Sequence, residues 1–409
     1  QMENAVDAYY DLTTFLERKY WPDFIASIIK SNNVELIFQL SSLYGYHLIP
    51  LLKCWFSEMP ILDYLHAEDF SWRNGGFPKD STVVSHLVEK TFTCNSHLKE
   101  LMFKKMNREN HNVEVAYIGV DVDEFNPYNV DVVDKETKLF CKGKKVLLFP
   151  SRFSFEKRPI FMLALMDALS KIRDDVVCLM VGGGQAEEEI KKYILKYNLN
   201  DKVKLIQMKK NIKEYYKLAD ITIICSLSEG ITLTTYESLA MNVPVVSADV
   251  GGQKEVVKSD VGEIIKSFQN IKNDLYNFTY DKEEINLYVS AIDKILNNYN
   301  EYTENDKCRN YIISNFSKRQ LYDTLESNIV KFSKLKSKKT MENEEFAIRY
   351  LVLFNETTKQ FYRNEFTFDN FKLYLKNKMW KHWWWRCAVK LGKKVNLDKV
   401  IKKYYFKEK

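Results

Sequence analysis

Short, largely apolar runs alternate with longer amphipathic stretches along most of this sequence. Runs of this kind cover residues 35–40, 176–181 and 221–227, and each has the length of a single strand. Polar residues do not alternate regularly within them, which is typical of strands that are covered on both faces. Because parallel neighbours need a crossover that is usually a helix, the pattern predicts an α/β protein with parallel sheets.

Length and composition limit the class of protein. The chain has 409 residues, enough for two or three domains, and a hydrophobic share of 45% excludes a disordered or collagen-like protein. The longest apolar runs fall far short of the roughly 20 residues that cross a bilayer, so no membrane span is predicted. No secretion signal is visible, and the seven cysteines are scattered without a C-x-x-C motif. We therefore expect a cytoplasmic protein with reduced thiols.

The predicted elements divide the chain into three parts. Residues 126–143 are polar and lack periodicity, and we place a domain boundary there. Residues 1–140 are predicted to form a short α/β domain, residues 141–335 a second α/β domain, and residues 340–409 a basic, helical extension. The first 30 residues are predicted to be helical.

The most informative stretch is SLSEGITLTTYESLAMNVPVVSADVGG, residues 226–252. A predicted strand brings Glu229 to its carboxyl end, Gly230 turns the chain, and a helix is predicted to begin between Thr232 and Thr235. The start of a helix offers unpaired N–H groups and a partial positive charge, which suits a diphosphate. If residues 229–237 were all helical, Glu229 and Glu237 would lie about 12 Å apart, too far for a glycosidase acid/base pair. The two glutamates are therefore expected to have different roles.

A second candidate anion site is the loop SRFSFEKRP, residues 151–159. Arg152 and Lys157 lie just after a predicted strand and could reach a phosphate from there. Cations aimed at a departing diphosphate stabilise the charge that grows as the bond breaks. The alternative is an ordinary basic loop in solvent.

These segments resemble the donor-binding domain of retaining glycosyltransferase family 4, whose GT-B architecture has two facing Rossmann-like domains. The matching pieces are FPSRFSFEKRP, VGGG at 181–184, the stretch at 215–257 and VGEII at 261–265. The spacing of Glu229 and Glu237 matches the E-x7-E pattern of that family.

The resemblance implies a role for each matching residue. Glu229 would lie near the hydroxyl groups of the transferred sugar and Glu237 on the nucleotide ribose. The residues implied to bind the donor diphosphate are Arg152, Lys157, Gly230, Ile231, Thr232 and Leu233. The family often has an aromatic residue after the glycine, where this sequence has Ile231. That difference is expected to alter the fit of the sugar without removing the backbone donors.

The loop LDYLHAEDFSWRNGGF, residues 62–77, resembles the acceptor-side loop of the same family. It places His66 directly after a strand, where the resemblance implies that it faces the donor sugar as a second catalytic residue. Glu68, Asp69 and Arg73 follow on this loop and are weaker candidates for contacts with the acceptor. A His at a strand end can also be purely structural.

Asp121-Val122-Asp123 superficially matches the D-x-D metal site of another glycosyltransferase fold. The segment also resembles the GVDxxxF stretch near the domain junction of family 4, and the sequence offers no second ligand cluster. We therefore predict no metal site.

Residues 372–409 carry 13 basic and two acidic residues, whereas the rest of the chain carries 48 basic and 53 acidic residues, a net charge of −5. On a helix, Trp380, Trp384, Cys387 and Leu391 would form one stripe beside a basic face. This pattern predicts contact with an anionic membrane surface. Packing of the tail on the body is the main alternative. Nucleic-acid binding is not predicted, because no recognised module accompanies the basic residues.

Together these features predict a retaining, metal-independent glycosyltransferase without a cofactor, on the inner face of the plasma membrane. Its donor would be a UDP-sugar or GDP-sugar carrying a hexose, and its acceptor a glycan or lipid-linked molecule of bacterial surface polysaccharide synthesis. Two alternatives remain open, a non-catalytic GT-B scaffold partner and a GT-B sugar-nucleotide epimerase. The first domain lacks opening βα units usual in GT-B enzymes, which predicts either an abbreviated sheet or a piece of a longer polypeptide.

Overall fold

The computed structural model describes residues 6–68, 75–130, 135–207 and 211–362. The strands are β1 (Ile37–Leu40), β2 (Ile61–Leu65), β3 (Lys90–Thr93), β4 (Val113–Val115), β5 (Lys145–Pro150), β6 (Val176–Gly182), β7 (Val203–Gln207), β8 (Ile221–Ile224), β9 (Val245–Ala248) and β10 (Gly262–Ile265). The helices are α1 (Leu12–Phe15), α2 (Trp21–Ser31), α3 (Leu43–Trp55), α4 (Phe77–Val83), α5 (Ser96–Lys105), α6 (Lys135–Cys141), α7 (Pro159–Leu169), α8 (Glu187–Lys196), α9 (Lys213–Leu218), α10 (Leu233–Ala240), α11 (Gln253–Val256), α12 (Ile271–Asp274), α13 (Lys282–Asn297), α14 (Tyr299–Thr303), α15 (Lys307–Asn315), α16 (Lys318–Ser333) and α17 (Glu344–Tyr362).

Two parallel sheets form the framework, which confirms the predicted α/β architecture. The first sheet has the order β1-β2-β3-β4 and the second the order β10-β9-β8-β5-β6-β7. All their pairings are parallel. In the second sheet, β6 and β7 lie on one side of β5. The chain then crosses over, and β8 pairs with β5 on the opposite side. Ligands of open α/β sheets bind in the crevice that forms at such a point, beyond the carboxyl ends of the strands.

Helix α7 anchors the loop that precedes it, residues 151–158. Nine of its 11 residues are buried, and Phe161 packs edge-on against Tyr288 of α13 at 5.2 Å between ring centroids. A helix that is apolar nearly all round belongs in a core. The start of α7 therefore has little freedom to move relative to the second sheet.

Two local predictions were incomplete. Helix α3 was missed because residues 48–52 are all buried, so its sequence shows no polar face, and because Pro50 lies inside it. The helical prediction for the first 30 residues is right mainly for α2. Between residues 6 and 20 the structure has only α1 and a 3-10 turn at Arg18–Tyr20. Pro22 lies in the first turn of α2, where proline's missing N–H removes no hydrogen bond within the helix.

The chain crosses back to the first sheet after the second sheet is complete. Apolar side chains of α16 pack against buried residues of β2 and β3; the residues on α16 are Leu321, Leu325, Ile329 and Phe332. The predicted domain boundary at residue 335 stays a prediction, but α16 lies on the first sheet. Chain segments distant in sequence thus build one layer.

Lys53 of α3 contacts Ser337, which follows α16, and links it to residues that flank the first sheet. Its side chain is fully buried, and its ammonium donates to the carbonyl of Met59 (2.6 Å) and to the hydroxyl of Ser337 (2.7 Å). The carboxylate of Glu89 lies 3.5 Å away and accepts a hydrogen bond from Ser337. Burial lowers the pKa of Lys53 to about 8.

The chain divides into two compact units, residues 1–341 and 342–409. The second unit starts with α17, in the region that the sequence predicted to be helical. No helix within the described ranges is long and apolar enough to cross a membrane. Residues 372–409, predicted to bind an anionic membrane surface, lie outside the described residues.

Replacing Lys53 by Ala should destabilise the protein, because it empties a fully buried site and removes the donor to the Met59 carbonyl and the Ser337 hydroxyl. We expect the free energy of unfolding to fall by about 2–3 kcal/mol in urea denaturation at pH 7. Lys104→Ala, which removes an exposed partner of Glu100, should change little. Equal losses in the two variants would contradict the role of Lys53.

The pH dependence of stability in the wild type and in Lys53→Ala tests the lowered pKa of Lys53. Folded Lys53 releases its proton at about pH 8, whereas the unfolded chain holds it to about pH 10.5. The stability that depends on this group should therefore rise with pH across that interval, by up to about 1.4 kcal/mol per pH unit. The wild-type protein should gain stability relative to Lys53→Ala between pH 7 and pH 9.

Candidate active site

A cavity of about 400 Å³ opens beyond the carboxyl ends of β5, β6 and β8, at the crevice of the second sheet. It is lined by Phe149, Pro150, Ser151, Arg152, Lys157, Val181, Ile212, Ile223, Ile224, Ser226, Glu229, Thr232, Thr234 and Glu237. Five of the predicted donor-site residues are in this set. They come from two separate segments, the loop after β5 and the stretch after β8, which the parallel sheet brings to one edge.

Glycines at the end of β6 let the chain pack closely on the loop after β5. The Ser151 N–H donates to the carbonyl of Val181 (3.0 Å) and the Phe153 N–H to that of Gly183 (2.9 Å). A Cβ atom on Gly182 would overlap the Ser151 carbonyl oxygen. The glycine turn thus fixes the first residues of the loop that carries Arg152 and Lys157.

Lys157 forms an ion pair with Glu229 at the wall of the cavity. Both side chains are largely shielded from water, with 17% and 12% of their surface exposed. An ammonium group has three N–H donors, and Glu229 takes one of them. Lys157 therefore links the loop after β5 to the loop after β8, and it can donate further hydrogen bonds to an anion in the cavity.

Arg152 lies at the mouth of the cavity. Its side chain is 71% exposed, and the nearest acidic partner is Glu156 at 3.6 Å. Exposed pairs of this kind contribute little to stability. The structure leaves this guanidinium available to a ligand that enters the cavity.

The start of α10 faces the same cavity. Thr232 occupies the N-cap position in an extended conformation, without a side-chain hydrogen bond to the helix. Thr232 and Thr234 line the cavity, whereas Ile231 is buried and the side chain of Leu233 is half exposed. First-turn N–H groups without a side-chain cap, together with the helix dipole, favour an anion there.

Glu237 lies one turn into α10 and also lines the cavity. The hydroxyl of Tyr216 donates to its carboxylate at 2.9 Å. Burial raises the pKa of Glu237, the hydrogen bond from Tyr216 opposes that change, and the nearby charge of Glu124 adds to it. Only residues 233–240 are helical, so the fully helical spacing of about 12 Å from Glu229 does not apply.

His66 approaches this site from the first sheet. Its Nδ1 lies 3.3 Å from the hydroxyl of Ser41, and its ring packs edge-on against Tyr64. A Cβ on Gly230 would overlap the His66 carbonyl oxygen, so the two loops touch at that point. Desolvation lowers the pKa of His66, which favours the neutral ring. His66 does not line the cavity.

The weaker acceptor-side candidates have different positions. The Glu68 carboxylate lies 3.8 Å from Nε2 of His97, and its interaction with that ring raises the pKa of His97. Asp69 and Arg73 lie outside the described residues.

Asp121 has a local structural role in the D-x-D segment. Its carboxylate accepts hydrogen bonds from the N–H groups of Asp123 (3.2 Å) and Glu124 (3.0 Å), which closes a turn. Within the described ranges, no group of three His, Cys, Asp or Glu side chains is arranged to hold a metal ion.

Sequence reasoning missed Arg158, which is buried and paired with Glu284 of α13. Its guanidinium makes two parallel hydrogen bonds of 2.8 Å with that carboxylate. Its backbone is left-handed (φ 55°, ψ 48°), a conformation that costs a non-glycine residue about 1–2 kcal/mol. The pair holds the turn after Lys157, and no local pattern could have revealed a partner 126 residues away.

Sequence comparisons find known proteins that are similar to part of this chain. Residues 133–313 match the family model described as Glycosyl transferases group 1. An uncharacterized glycosyltransferase of Methanocaldococcus jannaschii is 24% identical over 225 residues, which cover 51% of this chain and 56% of that protein. The UDP-Gal:alpha-D-GlcNAc-diphosphoundecaprenol alpha-1,3-galactosyltransferase of Escherichia coli is 22% identical over 229 residues, 54% of each protein. The chain thus spans about half the length of these relatives.

Solved structures show the same fold. A glycosyltransferase from Rickettsia africae has a TM-score of 0.60 at 21% identity. The aligned region covers 80% of this chain and 84% of the Rickettsia africae chain. Anabaena Alr3699/HepE in complex with UDP has a TM-score of 0.59 at 15% identity, with coverage of 76% and 82%. The chain therefore has the GT-B fold of these structures, and its residues 133–313 are similar to the family model described as Glycosyl transferases group 1.

Replacing Glu284 by Gln should destabilise the protein, because Arg158 would remain buried without a counter-charge. The expected loss is about 3–5 kcal/mol in the free energy of unfolding, measured by chemical denaturation. Glu283→Gln changes the exposed neighbour on the same helix and should have little effect. A Glu284→Gln protein as stable as the Glu283→Gln protein would contradict a structural role for the pair.

Proposed function

We propose that this chain is a retaining, metal-independent glycosyltransferase that moves a hexose from a UDP-sugar or GDP-sugar to a glycan or lipid-linked acceptor. The observation that carries the proposal is the composition of one cavity. Lys157, Arg152, the start of α10, Glu229 and Glu237 all line it. Two cations and a helix N-terminus suit a diphosphate, and two carboxylates suit the hydroxyl groups on either side of it.

In the proposed reaction the bond between the anomeric carbon and the diphosphate oxygen breaks. Lys157, Arg152 and the N–H groups at Ile231–Leu233 take up the negative charge that grows on the leaving diphosphate. An acceptor hydroxyl attacks the anomeric carbon from the face that the diphosphate leaves, and its proton departs with the diphosphate. Glu229 holds hydroxyl groups of the sugar.

His66 is proposed to support the cation-like sugar from the other side of the cleft. Its loop touches Gly230, directly after Glu229. Because its pKa is lowered, a neutral ring can donate or accept a hydrogen bond without repelling positive charge on the sugar. Metal independence is proposed because the cavity's own cations and backbone donors can supply the positive charge.

Relatives suggest the setting of the reaction. The galactosyltransferase of Escherichia coli is named for a diphosphoundecaprenol acceptor, and the Anabaena protein was solved with UDP. By analogy we propose a lipid-linked or glycan acceptor in surface polysaccharide synthesis. Attachment of residues 372–409 to an anionic membrane surface belongs to the same proposal.

Lys157→Ala and Glu229→Gln should each reduce sugar transfer by about 100-fold or more, because each removes an interaction that strengthens in the transition state. Transfer and hydrolysis would be measured with a panel of UDP-sugars and GDP-sugars. Lys191→Ala, which removes an exposed cation from α8, is the matched control. Near-normal turnover in a folded Lys157→Ala or Glu229→Gln protein would refute the proposal. Donor binding without turnover in the wild type would favour a scaffold, and an epimerised donor would favour an epimerase.

Binding of UDP should depend on the ionisation of Glu237. Its carboxylate is proposed to accept hydrogen bonds from the ribose, and its raised pKa places its protonation above the usual range for a glutamate. Affinity should therefore fall on acidification from pH 7.5, by about tenfold or more once the carboxyl is protonated. Calorimetry at several pH values would show this step in the wild type and in Glu283→Gln, but not in Glu237→Gln. A step that survives in Glu237→Gln would contradict the assignment.

A further inference from the structure

Glu255 of α11 connects the second half of the molecule to a helix of the first. Its carboxylate accepts hydrogen bonds from the backbone N–H groups of Ser96 and His97, each at 2.8 Å. The hydroxyl of Tyr117 donates to the same carboxylate, also at 2.8 Å. The two N–H groups open α5, which covers the first sheet, whereas α11 follows β9 of the second.

These contacts complete the cap of α5. A helix begins with N–H groups that have no partner within it, and the dipole makes that end positive. The side chain of Asn95, the N-cap residue, accepts a hydrogen bond from the Leu98 N–H at 2.6 Å. Glu255 accepts hydrogen bonds from the two N–H groups that precede Leu98, those of Ser96 and His97. Glu255 lies about 160 residues further along the chain than these donors. A carboxylate here is stabilised by charge as well as by hydrogen bonds.

The capped end of α5 lies beside the loops that carry the proposed catalytic residues. Cys94, just before the helix, donates its S–H to the His66 carbonyl at 2.7 Å. The same carbonyl lies against Gly230, and the Gly252 N–H donates to the Gly230 carbonyl at 2.6 Å. A continuous path of contacts therefore runs from Glu255 through α5 and Cys94 to His66, and returns through Gly230 to α11.

We propose that Glu255 is a positioning residue, which holds the two halves together so that His66 faces the sugar bound at Glu229. This inference rests on the proposed function. Among the residues that the structure describes, the lining of the donor cavity comes from the second half, so loss of Glu255 should leave binding of the nucleotide intact. The chemical step needs both halves, and misplacing a group by about 1 Å can cost about 100-fold in rate.

The test compares Glu255→Ala and Glu255→Gln with the wild-type full chain. We expect kcat to fall by about tenfold or more in Glu255→Ala, and less in Glu255→Gln, which keeps one acceptor oxygen. The Kd for UDP, measured by calorimetry, should stay within about twofold. Glu263→Gln, which breaks an ion pair with Lys294 elsewhere in the second half, controls for a general effect of losing a carboxylate.

Hydrogen exchange and small-angle scattering test the contact itself. The peptide that starts α5 should exchange faster in Glu255→Ala than in Glu263→Gln, and the radius of gyration should increase. Unchanged kcat and unchanged exchange in Glu255→Ala would overturn the inference, as would an equal loss of UDP binding and turnover. If the wild type transfers no sugar from any donor, the proposed function fails, whereas the exchange and scattering results still decide whether Glu255 joins the halves.

Discussion

Backbone pairing between β5 and β8 sets the geometry of the cavity. Parallel strands end at the same edge of a sheet, so the loops that follow these two strands must lie side by side. One loop carries Lys157 and the other carries Glu229, and the ion pair between them joins the loops directly. The start of α10 follows immediately. The cations, carboxylates and helix N-terminus of the cavity are thus consequences of one strand order.

Much of this arrangement could be predicted from the sequence. Apolar runs of strand length located β1, β6 and β8, and Glu229-Gly230 placed a helix start within two residues of the observed one. Such features are local: a buried parallel strand is apolar throughout, and a glycine before a helix permits the close approach seen between Gly230 and His66. The positions of Lys157 and Glu237 at one cavity also follow from local sequence once the sheet is assumed.

The remaining features depend on contacts between distant segments. Nothing near Arg158 indicates that Glu284 neutralises it, and nothing near Ser96 indicates that Glu255 caps its helix. Helix α3 was missed for a related reason, because complete burial removes the polar face that reveals helical periodicity. Lys157 is shielded where Glu229 pairs with it from the loop after β8, whereas Arg152 on the same loop as Lys157 stays exposed.

The return of α16 to the first sheet has a consequence for how the protein is made. The side of that sheet formed by Leu62, Tyr64 and Phe92 is covered by residues beyond position 320. Ser337, which contacts Lys53, is translated later than α16. A nascent chain that leaves the ribosome would therefore carry an uncovered apolar surface from its first strands until most of the polypeptide has been translated. Because such surfaces promote aggregation, this period is where a chaperone would matter most.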